Sequence, residues 1–548
     1  MRLLTLLLIS FFVNDSLAQN ADAIAKTAEL LQRFEPSDAP GFSIGIVENG
    51  RLIYSKGIGF ADLDHGTMNS DSTIFGIASI AKQFTAACIW SLVKEGRISL
   101  DDDVRKYIPE FPSYGDVIRI RHLLNHTSGI RNYHALMDLS GFNYDKAFHD
   151  NQMILDLACR QYGLNNRPGE KVVYGNTSYT LLAIVIERIT GQNLNLYAQD
   201  KIFLPLGMHH TFYRVDTTTV VSNQALGYFL DNDKRYTPVT NHQISYGAGS
   251  VKSSVEDLAT WSTVLNGMHP EYLDLTRFLT TTETLRSGEA LKYARGVMVD
   301  AYKGVKTIHH SGYSLGGQSE IIAIPELQLA IIVLTNLESI NPAAISYAIL
   351  DLFLPVQTKE SIQSYKVFHP KRRQLRKFAG AYQEQNSDMR MEILLENDTL
   401  KAVGSQGKMP VSLVATDKGK FVRSNNQSVS YDFRPAKNMH ADLIIYFGGT
   451  PFYFSKALFV DPQSIHLPDY VGKYCSPELS IEYEVYMEEN NLFVSYANRK
   501  VQLHAGQKDE FGNGQRILYR FERNKKGEVT QFYLSAEGTV KNIQFDKK

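Results

Sequence analysis

A chain of 548 residues exceeds what one hydrophobic core serves, because single cores rarely grow past about 250 to 300 residues, so more than one domain is expected. Lys and Arg number 57 against 58 Asp and Glu, and a formal net charge of -1 supplies neither the basic field of a nucleic-acid binder nor an acidic tail. Cys88, Cys159 and Cys475 are too few and too scattered for a disulfide framework, which leaves stability to packed cores.

The chain opens with Arg2, an apolar run from Leu3 to Val13, and Ser16-Leu17-Ala18 as a small-x-small cleavage site. That is the three-part layout of a secretory signal peptide, and it predicts an exported protein, periplasmic or secreted. The run is too short to span a bilayer in the mature chain and no later stretch reaches spanning length, so no membrane span is expected after signal removal. Residues 41–60 read as two strands around a Glu48-Asn49-Gly50 turn. Helical periodicity follows near 79–96, 149–162, 177–190 and 254–266. Three more strands, near 305–311, 318–324 and 328–335, precede a helix from Pro342 to Phe353. Early and late strands around a helical middle predict one antiparallel sheet completed by both ends of the domain, with helices on its faces.

Pro355 to Pro370 reads as a linker, and an internal repeat lies beyond it. Leu375-Arg-Lys-Phe378-Ala-Gly380-Ala-Tyr382 matches Leu467-Pro-Asp-Tyr470-Val-Gly472-Lys-Tyr474 at an offset of 92 (467 minus 375). The same offset carries Glu392–Glu396 onto Glu484–Glu488, while Tyr431-x-Phe433 meets Tyr519-x-Phe521 at 88 (519 minus 431). Duplicated modules explain one offset serving separated blocks. Short alternating strands make each module a small β-barrel. The expected divisions are a signal peptide (1–18), a large mixed α/β domain (19–357), a linker (358–374) and two all-β modules (375–465 and 466–548).

Zinc spacings are absent, and the His209-His210 and His309-His310 pairs lack the i, i+4 geometry of a helical metal site, so no metal or cofactor is expected. Gly312-Tyr313-Ser314-Leu315-Gly316 fits the G-x-S-x-G pattern of a nucleophile elbow, which needs a strand before the serine and a helix after it. Here a strand stands on each side, so the nucleophile is sought elsewhere. Ser79-Ile80-Ala81-Lys82 opens a helical pattern, which sets Lys82 one turn from the Ser79 hydroxyl on the same side. An ammonium cannot accept a proton, so activation needs a neutral amine or a nearby phenolate in a dry site. The motif alone is weak, since S-x-x-K recurs at Ser91–Lys94 and Ser405–Lys408. Order adds weight: Tyr174-Gly175-Asn176 follows on a loop before a helix, and His310-Ser311-Gly312 ends a strand.

In this order the chain resembles the serine hydrolases related to class C β-lactamases and penicillin-recognising D-peptidases, over about residues 38–355. LLNHTSGI (123–130) and GAGSVKSSVEDLATW (247–261) look like further segments of that family. The resemblance implies a β-lactamase/transpeptidase-like domain and an acyl-enzyme on Ser79. It implies that Lys82 and Tyr174 share base and acid duties, that Asn176 holds a substrate amide, and that the oxyanion lies between the N–H groups of Ser79 and Tyr313. His310, where the family's β-lactamases carry lysine, resembles D-amino-acid peptidases and some esterases. The full expected set is Ser79, Lys82, Tyr174 and His310 for catalysis, with Asn176, Gly312 and Tyr313 at the substrate. Two trailing modules that look lipocalin-like resemble the layout of bacterial D-aminopeptidases. The expected substrate is a small molecule or short peptide, an amide with a D-residue. A carboxylesterase and a non-catalytic acyl-ligand sensor are the alternatives.

Overall fold

The structure is a computed structural model that describes residues 20–548 except 35–37, 145–146, 240–242, 355–367, 405–408, 426–428, 436, 438–439 and 448–449. The expected signal peptide, the first part of the expected linker and the second S-x-x-K repeat, Ser405–Lys408, lie outside the described residues.

Six antiparallel strands make the central sheet: β1 (Phe42–Glu48), β2 (Arg51–Ile58), β3 (Met298–Tyr302), β4 (Val305–Ser314), β5 (Gly317–Ile324) and β6 (Leu329–Thr335). Their order is β3-β4-β5-β6-β1-β2. β1 pairs with β6 from Phe42↔Thr335 to Glu48↔Leu329, so both ends of the domain close one sheet, as the sequence pattern predicts. β6 is apolar and buried throughout because both of its faces are covered. Ile331 and Val333 pack with the helix Pro342–Phe353, while Ala330, Ile332 and Leu334 join the larger core that holds the helix Val255–Leu265. This alternation is the two-residue period of a strand. β4 and β5 form a hairpin with Ser314↔Gly317 as its last pair, and the Ser314 hydroxyl donates to the Gly317 carbonyl at 3.3 Å. Strand therefore follows strand at GYSLG, and the elbow is ruled out.

Beyond this domain stand two closed eight-stranded barrels of lipocalin-like form, from Gly380–Glu384 to Thr450–Lys456 and from Gly472–Ser476 to Val540–Lys547. The repeat in sequence is a repeat in structure. Tyr382 donates its hydroxyl to the Phe378 carbonyl, and Tyr474 donates to the Tyr470 carbonyl, each at 2.8 Å. The intervening glycines, Gly380 (φ 138°) and Gly472 (φ 155°), hold backbone angles that side chains disfavour, which accounts for the shared aromatic-x-Gly-x-Tyr pattern. Aromatic and aliphatic side chains fill both interiors, Tyr382, Tyr431 and Phe454 in the first and Tyr474, Tyr483, Phe532 and Phe545 in the second. The second barrel's core runs on into the first domain, where Tyr133, Leu136, Met137, Leu139, Ile154 and Leu157 pack with it. No helix among the described residues is long and apolar enough to cross a membrane.

Candidate active site

Ser79 lies in a single 3-10 turn, Ala78–Ile80, that leads directly into α1 (Ala81–Lys94). α1 is buried from Ala81 to Leu92, with Cys88 in the core beneath the turn. Ala78 has φ +47°, a left-handed angle that an L side chain resists, so the residue before Ser79 is strained. Lys82, one turn on, is fully buried, and its Nζ reaches Ser79 Oγ (2.9 Å), Asn176 Oδ1 (2.7 Å) and the Ala248 carbonyl (2.8 Å). Burial holds this amine well below its usual value.

Asn176 is the first residue of α2 (Asn176–Thr190). Its Nδ2 donates to His134 Nδ1 at 3.0 Å, which turns its oxygen toward Lys82. Tyr174, two residues earlier, sets its phenol beside Ser79, and its ring lies 4.9 Å from Lys82 Nζ. Burial raises the phenol well above its ordinary value, so it enters the site protonated. Behind it, buried His126 touches the rings of Tyr174, Tyr179 and Tyr293 at centroid distances of 4.3, 5.2 and 4.5 Å. The His126 carbonyl accepts the Val173 N–H at 2.9 Å, which ties LLNHTSGI to the loop that carries Tyr174.

His310 stands on β4 beside this group, its ring centroid 6.2 Å from that of Tyr174. Its Nδ1–H donates to the Ser311 carbonyl at 2.6 Å, leaving Nε2 to accept the Tyr293 hydroxyl at 3.1 Å. Burial, with Lys82 nearby, brings the imidazole down to about 3, so it is neutral at physiological pH. Gly312 is a contact point: a Cβ there would stand 2.4 Å from the Ile77 carbonyl and 3.0 Å from Ala78 Cβ. Only glycine lets β4 press against the turn that carries Ser79. The Ser319 hydroxyl, donating to the same Ile77 carbonyl at 2.8 Å, fixes that approach from β5. Tyr313 sends its side chain outward, 59% exposed, where its hydroxyl donates to Glu338.

Ser79, Lys82, Tyr174 and Asn176 thus meet in one cluster, with Gly312 against its base and His310 one ring further out. Sequence reasoning misses His134, Tyr293 and the Ala248 carbonyl. None lies within the S-x-x-K, Y-x-N or H-x-G spacing, and each enters through long-range packing. Among the described residues no three His, Cys, Asp or Glu side chains gather as a metal site requires.

A buried lysine between a serine and an asparagine, beneath an antiparallel sheet closed by both ends of its domain, defines a β-lactamase-fold serine hydrolase. A family model described as Beta-lactamase matches residues 28–353, and the chain belongs to that family. Protein flp of Staphylococcus aureus (strain N315) is 31% identical over 312 residues, 55% of this chain and 60% of that protein. The D-aminopeptidase of Brucella anthropi is 26% identical over 324 residues, 59% of this chain and 61% of that enzyme. The match therefore spans about three fifths of the length of these curated relatives. In fold the chain is similar to the octameric penicillin-binding protein homologue from Pyrococcus abyssi, with a TM-score of 0.53 at 22% identity over 89% of this chain and 99% of that one.

Proposed function

We propose that the protein is an exported serine hydrolase that forms an acyl-enzyme on Ser79 and cleaves a small amide or peptide bearing a D-residue. The observation that carries this is the hydrogen-bond arrangement at Lys82. Asn176 Oδ1 and the Ala248 carbonyl can only accept, so they engage two N–H bonds of the amine. In the neutral form, which burial favours, the remaining lone pair faces Ser79 Oγ. Lys82 then takes the Ser79 proton as Oγ bonds to the substrate carbonyl carbon. The Tyr174 phenol, protonated and beside Ser79, passes a proton to the leaving nitrogen and is resupplied from Lys82. The N–H groups of Ser79 and of Tyr313, the residue after the Gly312 contact, receive the oxyanion. Water attacks the acyl group by the same relay in reverse.

Neutral His310 supplies no fixed cation where the β-lactamases carry lysine, which favours substrates without a carboxylate at that point over β-lactams. The D-residue rests on similarity to the D-aminopeptidase. A serine-directed fluorophosphonate is expected to label Ser79, with the label lost in Ser79→Ala, and peptide mapping checks it. An adduct on Ser314 instead would return the nucleophile to the β4–β5 hairpin. Lys82→Ala and Tyr174→Phe are each expected to slow acylation by at least about 10²-fold in single-turnover assays with an activated ester. Turnover of D- and L-aminoacyl amides against p-nitrophenyl esters separates a D-peptidase from an esterase. An acyl adduct that persists on every substrate would mark a sensor.

A further inference from the structure

We propose that the second barrel sets the position of Asn176, and through it of Lys82, by way of Asn132; this rests on the roles given above to Ser79 and Lys82. Asn132 stands at the N-cap of the helix Tyr133–Leu139, yet its side chain does not cap that helix. Its Oδ1 accepts the backbone N–H of Asn176 at 3.0 Å instead. From the same helix, His134 accepts Asn176 Nδ2. Both contacts that orient Asn176 toward Lys82 thus come from one short helix, and the second barrel holds that helix at each end.

At its start, the Asn132 N–H donates to the Thr539 carbonyl at 3.2 Å, and Asn165 Nδ2 donates to the same oxygen at 2.7 Å. Thr539 lies in the turn between the barrel's last two strands, Val529–Ala536 and Val540–Lys547. Arg131 is buried against Glu478 (2.5 Å) and also donates to the Lys541 and Asn542 carbonyls, at 2.6 and 3.0 Å. Toward the catalytic side, Thr177 Oγ1 donates to the Arg131 carbonyl and accepts the Tyr133 N–H, each at 2.8 Å. At the helix's far end, Tyr483 donates its hydroxyl to the Leu139 carbonyl at 2.7 Å, and Arg499 donates to that of Asp138 at 3.1 Å. The path from barrel to nucleophile is a continuous set of hydrogen bonds, Thr539 to Asn132 to Asn176 to Lys82 to Ser79. Asn132 is a positioning residue, since it touches neither Ser79 nor the reacting bond.

The test uses the full chain and a fluorophosphonate, which offers no amide for Asn176 to hold and so reads Ser79 activation alone. Asn132→Ala removes the acceptor and Asn132→Asp keeps it. Asn132→Ala is expected to lower the first-order labelling constant at least about tenfold, with the half-saturating probe concentration unchanged. Asn132→Asp is expected to recover most of that loss. Glu478→Gln, a change confined to the barrel, is expected to lower the same constant. Thermal melts of each variant separate lost position from lost folding, and if Glu478→Gln melts below the assay temperature the Asn132 pair decides. Unchanged labelling constants in both Asn132→Ala and Glu478→Gln overturn the positioning role and leave Ser79 as nucleophile. Failure of the unsubstituted chain to label at Ser79 overturns the site assignment itself.

Discussion

The two barrels share a sequence repeat and a strand plan, yet they meet the first domain in different ways. The first touches it through a small apolar patch of Leu285, Leu291, Ile444 and Tyr453, and through polar contacts at its edge. Among these are Lys171 Nζ to Gln385 Oε1 (2.9 Å) and the Tyr446 hydroxyl to Glu289 (3.0 Å). The second shares one continuous core with a helix of that domain and encloses an ion pair whose side chains are 3% and 1% exposed. Duplication supplied two copies of one scaffold, and the first domain holds them through two different interfaces. The first copy meets the first domain over a small patch with polar contacts at its rim, whereas a copy fused through a large dry core cannot move without moving its neighbour.

The sharpest way to break the comparison is to remove one partner of the buried pair. Glu478→Ala leaves the Arg131 guanidinium without its carboxylate, and a loss of about 3–5 kcal/mol is expected in denaturant unfolding. Acid should act next, and on the first domain. Burial brings His134 and His310 down to about 3 and His122 to about 4, so the folded chain carries these rings neutral. The unfolded chain protonates them near their ordinary value of about 6.5 and so binds more protons between there and about pH 4. Stability is therefore complete above that value and declines as pH falls toward 4. Melting temperature followed against pH checks this, and the decline should be shallower in His122→Gln.

A matched pair sharpens the likeness between the copies. Tyr382→Phe and Tyr474→Phe each remove one hydroxyl from an equivalent bond, and losses of about 1 kcal/mol apiece are expected. A loss several times larger at Tyr474 would show that fusion with the first domain stiffens its whole barrel. The smallest effect belongs to the first barrel's edge. Tyr446→Phe gives up an exposed contact to Glu289 and should change stability by less than about 1 kcal/mol.

Local chemistry made much of this legible in sequence. The Glu48-Asn49-Gly50 turn, the Pro342 start of the last helix and the aromatic-x-Gly-x-Tyr repeat are each decided by residues within a few positions of one another. A helix turn pairs Ser79 with Lys82 and a short loop pairs Tyr174 with Asn176, while the meeting of the two pairs, 94 residues apart, was implied by the family resemblance. What escaped was set across the chain. Tyr293 reaches His310 from the segment before β3, and nothing near Arg131 announces a carboxylate 347 residues away. The Tyr133–Leu139 helix is not among the elements read from the sequence, and its apolar residues do not say whether a sheet, a helix or a barrel will cover them.

The shared core also orders events in time. Tyr133, Leu136 and Leu139 reach their final neighbours only once Phe532 and Phe545 have been made, some four hundred residues later (545 minus 139). At about 5–20 residues per second, the ribosome takes roughly 20 to 80 s to cover that distance. Through that interval the sheet strands Phe42–Glu48 and Leu329–Thr335 can already pair, while the helix that orients Asn176 has no barrel to rest on. On the proposal above, the hairpin of Val529–Ala536 and Val540–Lys547 completes the support of Ser79, made several hundred residues earlier, and a nascent chain gains that support only once this hairpin closes.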